Sequence, residues 1–369
     1  MTETHSNQTQ AQKPGGSDGA GQTVLVLRFS AVGDVLLTTP ALDALKTAWP
    51  EARIVYGTKE FIGDMIRHHP AVDEVIGLQK GEGVRDYTRR LKTTGFTVCL
   101  DLHDKLRSRM IHMLSLNRPI TRWSNRSSLD NAAIWLGLRG RNSYKAPAPT
   151  ADLFHRAVEK LIGRELPRGR MRYYPGPDDR ERARTLLTEA GVDLSKPVIG
   201  LAGGANWATK RWPAEYFHEL AGRITGAGYQ LALNGGPGER ELSASIKGSG
   251  SDGGRANIFD FTGATLAEMG GIIQHCAAFI ANDSGPMHMA RALAVPTLGI
   301  FGSTDPGMFE YEQQGLAYLE DLECSPCSFY GRKICPKDHF RCMRDLTPDL
   351  VWEELQPLLD GKARPYPHA

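Results

Sequence analysis

Ala277-Ala278-Phe279-Ile280-Ala281-Asn282-Asp283-Ser284-Gly285-Pro286-Met287-His288-Met289-Ala290-Arg291-Ala292-Leu293 joins a short apolar run to a longer periodic one through a polar turn. The run to Ala281 reads as a buried strand, and the stretch from Pro286 as a helix, since proline suits the first helical turn. In open α/β sheets the ligand lies beyond the carboxyl ends of the strands. A helix N-terminus at that edge offers unpaired N–H groups and positive partial charge to an anion, so a nucleotide diphosphate is the first candidate. The alternative is an ordinary turn in which Asp283 or Ser284 caps the helix and His288 is a first-turn surface residue.

Working outward from this turn, strands are expected at Val198 to Ala202, Tyr229 to Asn234, Ile258 to Phe261 and Thr297 to Phe301. Helices at Asp179 to Ala190, Ala214 to Thr225, Glu239 to Ile246, Leu266 to His275 and Pro286 to Ala294 separate or precede them. The first half shows the same alternation: Thr23 to Leu27, Arg53 to Tyr56, Val72 to Gly77 and Thr97 to Asp101 as strands, with helices from Val35 to Trp49 and around Phe61 to His69. Such alternation predicts parallel sheets with helices on both faces. A chain of 369 residues exceeds the size at which one core stops growing. The expectation is therefore an α/β protein of two doubly wound, Rossmann-like domains facing a central cleft. Residues 1–22 read as a disordered tail, 23–175 as the first domain, 176–345 as the second, and 346–369 as a C-terminal helical segment, the Pro/Gly-rich stretch near 175 marking the boundary.

Composition narrows the function classes. Residues 1–22 lack an apolar core segment, so no secretion signal is read there, and no apolar run approaches membrane-spanning length. Net charge is only +2, but residues 85–185 hold 22 Lys and Arg against 10 Asp and Glu. That asymmetry suits an acidic partner or an anionic membrane surface, with a solvated basic helix face as the plainer alternative. Aromatics are not interleaved with the basic residues, which argues against nucleic acid. Four of six cysteines are bunched, Cys324, Cys327, Cys335 and Cys342, in a C-x2-C-x7-C-x6-C pattern. The choice there lies between a structural zinc and packed free thiols.

Several loops at strand ends carry residues suited to chemistry, and all must open on the same edge of their sheet. In Gly203 to Pro213, Lys210 and Arg211 sit just before a helix start, where Lys210 could neutralise a diphosphate leaving group. In Asn234 to Glu239, paired glycines let backbone approach a ligand, and Glu239 could accept hydrogen bonds from ribose hydroxyls or merely compensate the helix dipole. In Ser30 to Asp34, Gly33 permits close approach, and Asp34 could take a proton from an attacking sugar hydroxyl if nothing neutralises it, or cap the helix. After Asp101, the residues His103, Lys105 and Arg107 are candidates to hold an anionic acceptor.

Four motifs in order resemble the family 9 glycosyltransferases, the lipopolysaccharide heptosyltransferase family. They are Val24 to Leu42 with its Arg28-Phe29-Ser30-Ala31-Val32-Gly33-Asp34 core, Lys210-Arg211-Trp212-Pro213, Gly235-Gly236-Pro237-Gly238-Glu239, and Asn282 to His288. The resemblance extends from Val24 to Leu359. It implies a GT-B fold, an ADP-activated heptose donor, inverting transfer without a catalytic metal or other cofactor, and a phosphorylated, lipid A-linked core sugar as acceptor. It further implies an enzyme in the cytoplasm, peripheral at the inner face of the inner membrane; a monomer is expected. By position in the motifs, Asp34 corresponds to the family's general base, Lys210 to the basic residue near the donor phosphates, and Glu239 to the ribose contact. Ser284, Gly285 and Pro286 correspond to the phosphate turn, with Asp283 and His288 beside it, and Thr347 to Leu359 to a helix that crosses back onto the first domain. Ahead of Lys210, the family has a Ser or Thr among variable residues; here only Thr209 supplies a hydroxyl.

Alternatives to this reading are the same fold acting with another nucleotide-sugar or on a protein acceptor, and a non-catalytic nucleotide-sugar or glycan-binding protein. A nicotinamide-dependent oxidoreductase is disfavoured, because no G-x-G-x-x-G follows the first strand of either half. Near a helix N-terminus, His288 is expected to be neutral in the empty site and to gain proton affinity when phosphate binds.

Overall fold

The computed structural model describes residues 18–115, 120–122, 144–145, 148–248, 255–309 and 314–361. The first domain holds β1 (Thr23–Leu27), β2 (Arg53–Lys59), β3 (Glu74–Leu78), β4 (Val98–Asp101) and β5 (Ile120–Arg122) in the order β3-β2-β1-β4-β5. Every pairing is parallel. Val24, Leu25, Val26 and Leu27 of β1 are fully buried, as expected of a central strand covered on both faces. Its helices are α1 (Val32–Leu36), α2 (Thr39–Ala48), α3 (Val84–Thr93), α4 (Leu106–Ser115) and α5 (Thr150–Ile162).

The second sheet contains β6 (Val198–Ala202), β7 (Gln230–Leu233), β8 (Ile258–Asp260), β9 (Ala278–Asn282), β10 (Thr297–Ile300) and β11 (Gly315–Ala317), ordered β11-β10-β9-β6-β7-β8 and again parallel throughout. Around it stand α6 (Pro177–Glu189), α7 (Ala214–Gly226), α8 (Arg240–Lys247), α9 (Leu266–Gln274), α10 (Gly285–Ala292), α11 (Arg341–Arg344) and α12 (Pro348–Leu359). Strand order reverses between β1 and β4 in the first sheet and between β6 and β9 in the second. Each reversal opens a crevice at the carboxyl ends of those strands. The domains are not separate cores: one apolar cluster runs from Val24, Leu42 and Phe154 to Phe279, Met287 and Phe301.

Local structure departs from the sequence expectation in four places. The single helix expected from Val35 to Trp49 is two, because Pro40 sits at the start of α2 and cannot donate to the preceding turn. The hydroxyls of Thr38 and Thr39 donate to the Val35 and Leu36 carbonyls at 2.6 and 2.8 Å and close the break. Around Phe61, the helix shortens to a 3-10 turn over Glu60–Met65. Residues 18–22, assigned to the disordered tail, hold to the first domain through amide donation from Arg53 to the Gln22 carbonyl at 2.9 Å; the rest of that tail, residues 1–17, lies outside the described residues.

The fourth departure is the last helix, expected to cross back onto the first domain. Val351, Leu355 and Leu358 of α12 instead pack in the second domain's cluster with Trp212, Phe217, Leu298 and Ile300. That i, i+4, i+7 stripe matches the apolar face left open beside β10 and β11. Only the described part of the expected segment 346–369 bears on this, since residues 362–369 lie outside it.

Candidate active site

The loops after β1 and β9 face each other across the domain boundary. Together with the loop after β6 and Glu239, they line a cleft of about 240 Å³, whose walls include Ala31, Val32, Gly204, Asn206, Ser284, Gly285 and Pro286. The glycosyl-transfer candidates of the sequence therefore divide into those on the cleft wall and those behind it. Glu239, Ser284, Gly285 and Pro286 are on the wall. Lys210, Asp283 and His288 are grouped behind it, Asp283 and His288 buried and Lys210 half-buried.

On the wall, the N-terminus of α10 has the features of an anion site. Ser284 is its N-cap residue in extended conformation, yet its side chain makes no capping hydrogen bond. Its Oγ is buried and has no hydrogen-bond partner among the described residues. A buried hydroxyl left in that state is costly unless a ligand completes it. Across the cleft, the Glu239 Oε2 accepts the Gly236 amide at 2.8 Å, which caps the 3-10 turn over Pro237–Glu239. The Glu239 carboxylate lies over Gly204 so closely that any side chain at 204 would collide with it. Of the two roles its sequence position allows, the hydrogen bond shows compensation of the helix start.

Behind the wall, Lys210 Nζ meets Asp283 Oδ2 at 2.6 Å, and the Thr304 hydroxyl donates to the same oxygen at 2.7 Å. Asp283 is only 4% exposed. Burial alone would raise its pKa, but Lys210 and His288, with the hydrogen bonds from Lys210 and Thr304, hold the carboxyl below the usual range. Asp283 therefore anchors Lys210. Asn282, fully buried, ties the same region together: its Oδ1 accepts the Trp212 amide at 3.1 Å, and its Nδ2 donates to the Gly203 carbonyl at 2.7 Å. Thr209, the one hydroxyl ahead of Lys210, is buried and turned away, accepting from the Ser303 hydroxyl at 3.0 Å and from the Arg332 amide at 2.7 Å.

His288 is buried, with its ring 4.5 Å from that of Phe309 in an edge arrangement and pressed against Gly33 of the opposite domain. Burial lowers its pKa to about 4 against the pull of Asp283, so it is neutral at neutral pH.

In the first domain, Asp34 lies in the first turn of α1 and its Oδ2 accepts the Ala31 amide at 2.9 Å. The condition that nothing neutralises it is not met: Arg28 Nη2 reaches the same oxygen at 2.6 Å. Arg28, 8% exposed, also donates from Nη1 to the Leu102 carbonyl at 2.6 Å and lies 5.3 Å from the Phe154 ring centre. Both named contacts are to Oδ2, and about a third of the Asp34 side chain remains exposed. Arg28 was not singled out in the sequence, where an Arg after a strand is common and its carboxylate partner is fixed only by the turn between them.

His103, Lys105 and Arg107 converge beside this loop. The Asp101 Oδ1 accepts the amides of His103 and Asp104, both at 2.9 Å, and so turns the chain out of β4. The His103 ring stands 5.4 Å from Phe29 and the Arg107 guanidinium 5.9 Å from the same ring. Burial, and then Arg28 and Lys105, lower the His103 pKa to about 4. Lys105 and Arg107 are exposed.

Cys324, Cys327, Cys335 and Cys342 do come together, lining a cavity of about 20 Å³ with His339. Of the choice between a structural zinc and packed free thiols, the geometry shows this much: among the described residues, no three His, Cys, Asp or Glu groups stand where they could hold a metal ion. Burial, and then the neighbouring cysteines, raise the pKa of Cys342 to about 12; burial also raises that of Cys327.

A family model described as glycosyltransferase family 9 (heptosyltransferase) matches residues 84–336. The chain is 29% identical over 360 residues to lipopolysaccharide heptosyltransferase 1 of Pseudomonas aeruginosa, covering 90% of this chain and 94% of that protein. It is 26% identical over 373 residues to lipopolysaccharide heptosyltransferase 2 of Salmonella typhimurium, covering 91% and 98%. Of solved structures, the family 9 glycosyl transferase of Veillonella parvula matches with a TM-score of 0.77 at 21% identity, over 93% of this chain and 98% of that one. The E. coli ADP-heptose lipopolysaccharide heptosyltransferase II matches with a TM-score of 0.72 at 20% identity, over 93% and 100%. The mixed α/β, GT-B architecture expected from the sequence is the one observed.

Proposed function

The chain belongs to glycosyltransferase family 9 (heptosyltransferase), and from that premise we propose that it transfers a heptose from an ADP-activated donor to a lipid A-linked core sugar of lipopolysaccharide, with inversion. The observation that carries this reading is the meeting of Ala31 and Val32, in the loop that presents Asp34, with Ser284, Gly285 and Pro286 across one cleft at the strand-order reversals of both sheets. One side can activate an acceptor hydroxyl and the other can hold a departing diphosphate.

On this reading the donor pyrophosphate meets the Ser284 hydroxyl and the first amides of α10, while Glu239 takes the ribose hydroxyls. Lys210, held in register by Asp283, supplies positive charge as the leaving group gains negative charge. Asp34 accepts the acceptor proton as its oxygen attacks the anomeric carbon, and the C–O bond to the diphosphate breaks. Arg28 fixes Oδ2 by charge and hydrogen bond, leaving the other oxygen to take the proton. Lys105 and Arg107, with His103 beside them, hold phosphates of the acceptor. The basic stretch 85–185 suits an acceptor at an anionic membrane, and we place the working enzyme at the cytoplasmic face of the inner membrane as a monomer. Among the described residues no helix is long and apolar enough to cross a membrane.

The donor assignment is tested by thermal unfolding with a panel of ADP- and UDP-sugars, since a ligand that binds only the folded protein raises its stability. Stabilisation by ADP-sugars is expected; stabilisation by UDP-sugars alone would overturn the assignment.

A further inference from the structure

Helix α4 carries apolar residues on two faces. Its inner face buries Ser108, Ile111 and Ser115. On the outer face Leu106, Met110 and Met113 are 75%, 39% and 72% exposed. Their i, i+4, i+7 spacing puts them on one stripe directed away from Ser108 and Ser115. Lys105 and Arg109 border the stripe on one side and Arg107 on the other. A helix face meeting only water would carry polar residues along its centre. An apolar centre with basic margins is the pattern of a helix lying in the headgroup plane of an anionic bilayer.

The position of the stripe matters as much as its composition. Helix α4 starts just beyond β4, and Arg107 and His103 both contact Phe29, five residues before Asp34. A bilayer seated on the stripe would thus lie beside the acceptor side of the cleft.

We propose that the Leu106, Met110 and Met113 face of α4 seats on an anionic phospholipid bilayer and brings a lipid-anchored acceptor to the Asp34 loop. The proposal rests on the reading of a lipid-linked acceptor. Apolar burial of the stripe supplies the short-range attraction, and Lys105 and Arg107 the longer-range one, which salt screens.

The test is co-sedimentation of the full chain with phosphatidylcholine vesicles and with vesicles also containing phosphatidylglycerol, at low and raised salt. Binding to the anionic vesicles, weakened by salt, is expected. The double variant Leu106→Ser, Met113→Ser should lose about tenfold or more of that binding, since two apolar side chains no longer enter the bilayer. Its unfolding temperature and its stabilisation by ADP should match the parent. Equal binding by parent and variant would overturn the proposal, as would a stripe that instead mediates self-association, seen as a dimer abolished in the variant without vesicle binding. Transfer to a lipid-free core oligosaccharide without vesicle binding would overturn the membrane seat and leave the transferase reading standing. Stripe-dependent vesicle binding without any transfer would do the reverse.

Discussion

The imidazole of His288 rests on the backbone of Gly33, so that a side chain at position 33 would place its Cβ 2.9 Å from the ring's Cγ and closer still to Cδ2. One residue belongs to the helix that offers its N-terminus to the cleft, and the other precedes the candidate base. Their contact therefore fixes how closely the Asp34 loop and the start of α10 approach each other.

Gly33→Ala should force the domains apart at that point. Loss of about 1–3 kcal/mol is expected from overpacking, together with a fall in kcat/KM. Denaturant unfolding of Gly33→Ala, His288→Ala and the pair closes the cycle: the double variant should recover part of the stability, whereas strict additivity would deny the contact its role.

Lys210 and Asp283 should behave as a unit in stability and separately in activity. Removing either partner leaves a charge of the opposite sign poorly solvated, at a cost of about 3–5 kcal/mol. Replacing both, as Lys210→Met with Asp283→Leu, should restore much of the stability but not transfer. Recovery of transfer in that pair would show that Lys210 has no part in the reaction.

Stability should fall on acidification because of His288. Its folded pKa of about 4 lies below the ordinary value of 6.5. The unfolded chain therefore binds the proton first as pH drops, and the stabilisation, complete above about 6.5, is lost as pH falls toward 4. His69 and His103 are lowered in the same direction, to about 4. The Asp283 carboxyl, also held low, adds a loss below the ordinary carboxylate value. Chemical denaturation from pH 7 to 4 should show this slope, and His288→Asn should remove about 3 kcal/mol of it, the equivalent of the shift. An unchanged slope in that variant would exclude a buried neutral imidazole.

Arg28 is predicted to position Asp34. Arg28→Met should lower kcat with little change in ADP affinity, since the guanidinium holds Asp34 and the Leu102 carbonyl. Arg28→Lys should recover part of the rate by restoring charge without the two-pronged geometry. A loss confined to ADP affinity would contradict this.

Much of the architecture was readable because its causes are local. Buried parallel strands are short apolar runs, and each restart of the β-α rhythm announces itself in a turn such as Asn234 to Glu239. Pro40, preceded by two threonines, was a legible helix start that the apolar period of residues 35 to 49 hid. The docking of α12 was not legible: an amphipathic stripe states that a helix must be covered but not by which sheet. The site divides in the same way. Ser284, Gly285 and Glu239 reach the cleft because a strand end and a turn put them there. That Asp283 anchors Lys210, that Thr209 turns to Ser303, and that Arg28 balances Asp34 are pairings between distant or differently oriented groups, which a linear pattern does not encode.

The central claim is that Asp34 takes the acceptor proton while the start of α10 holds the donor. Its most direct test is heptose transfer from ADP-heptose to a lipid A-linked core acceptor, measured for the parent and for Asp34→Asn alongside ADP affinity. The Asn variant should lose transfer by about a hundredfold or more, in keeping with loss of a general base, and bind ADP as the parent does. Full transfer by Asp34→Asn, with ADP affinity unchanged, would contradict the account.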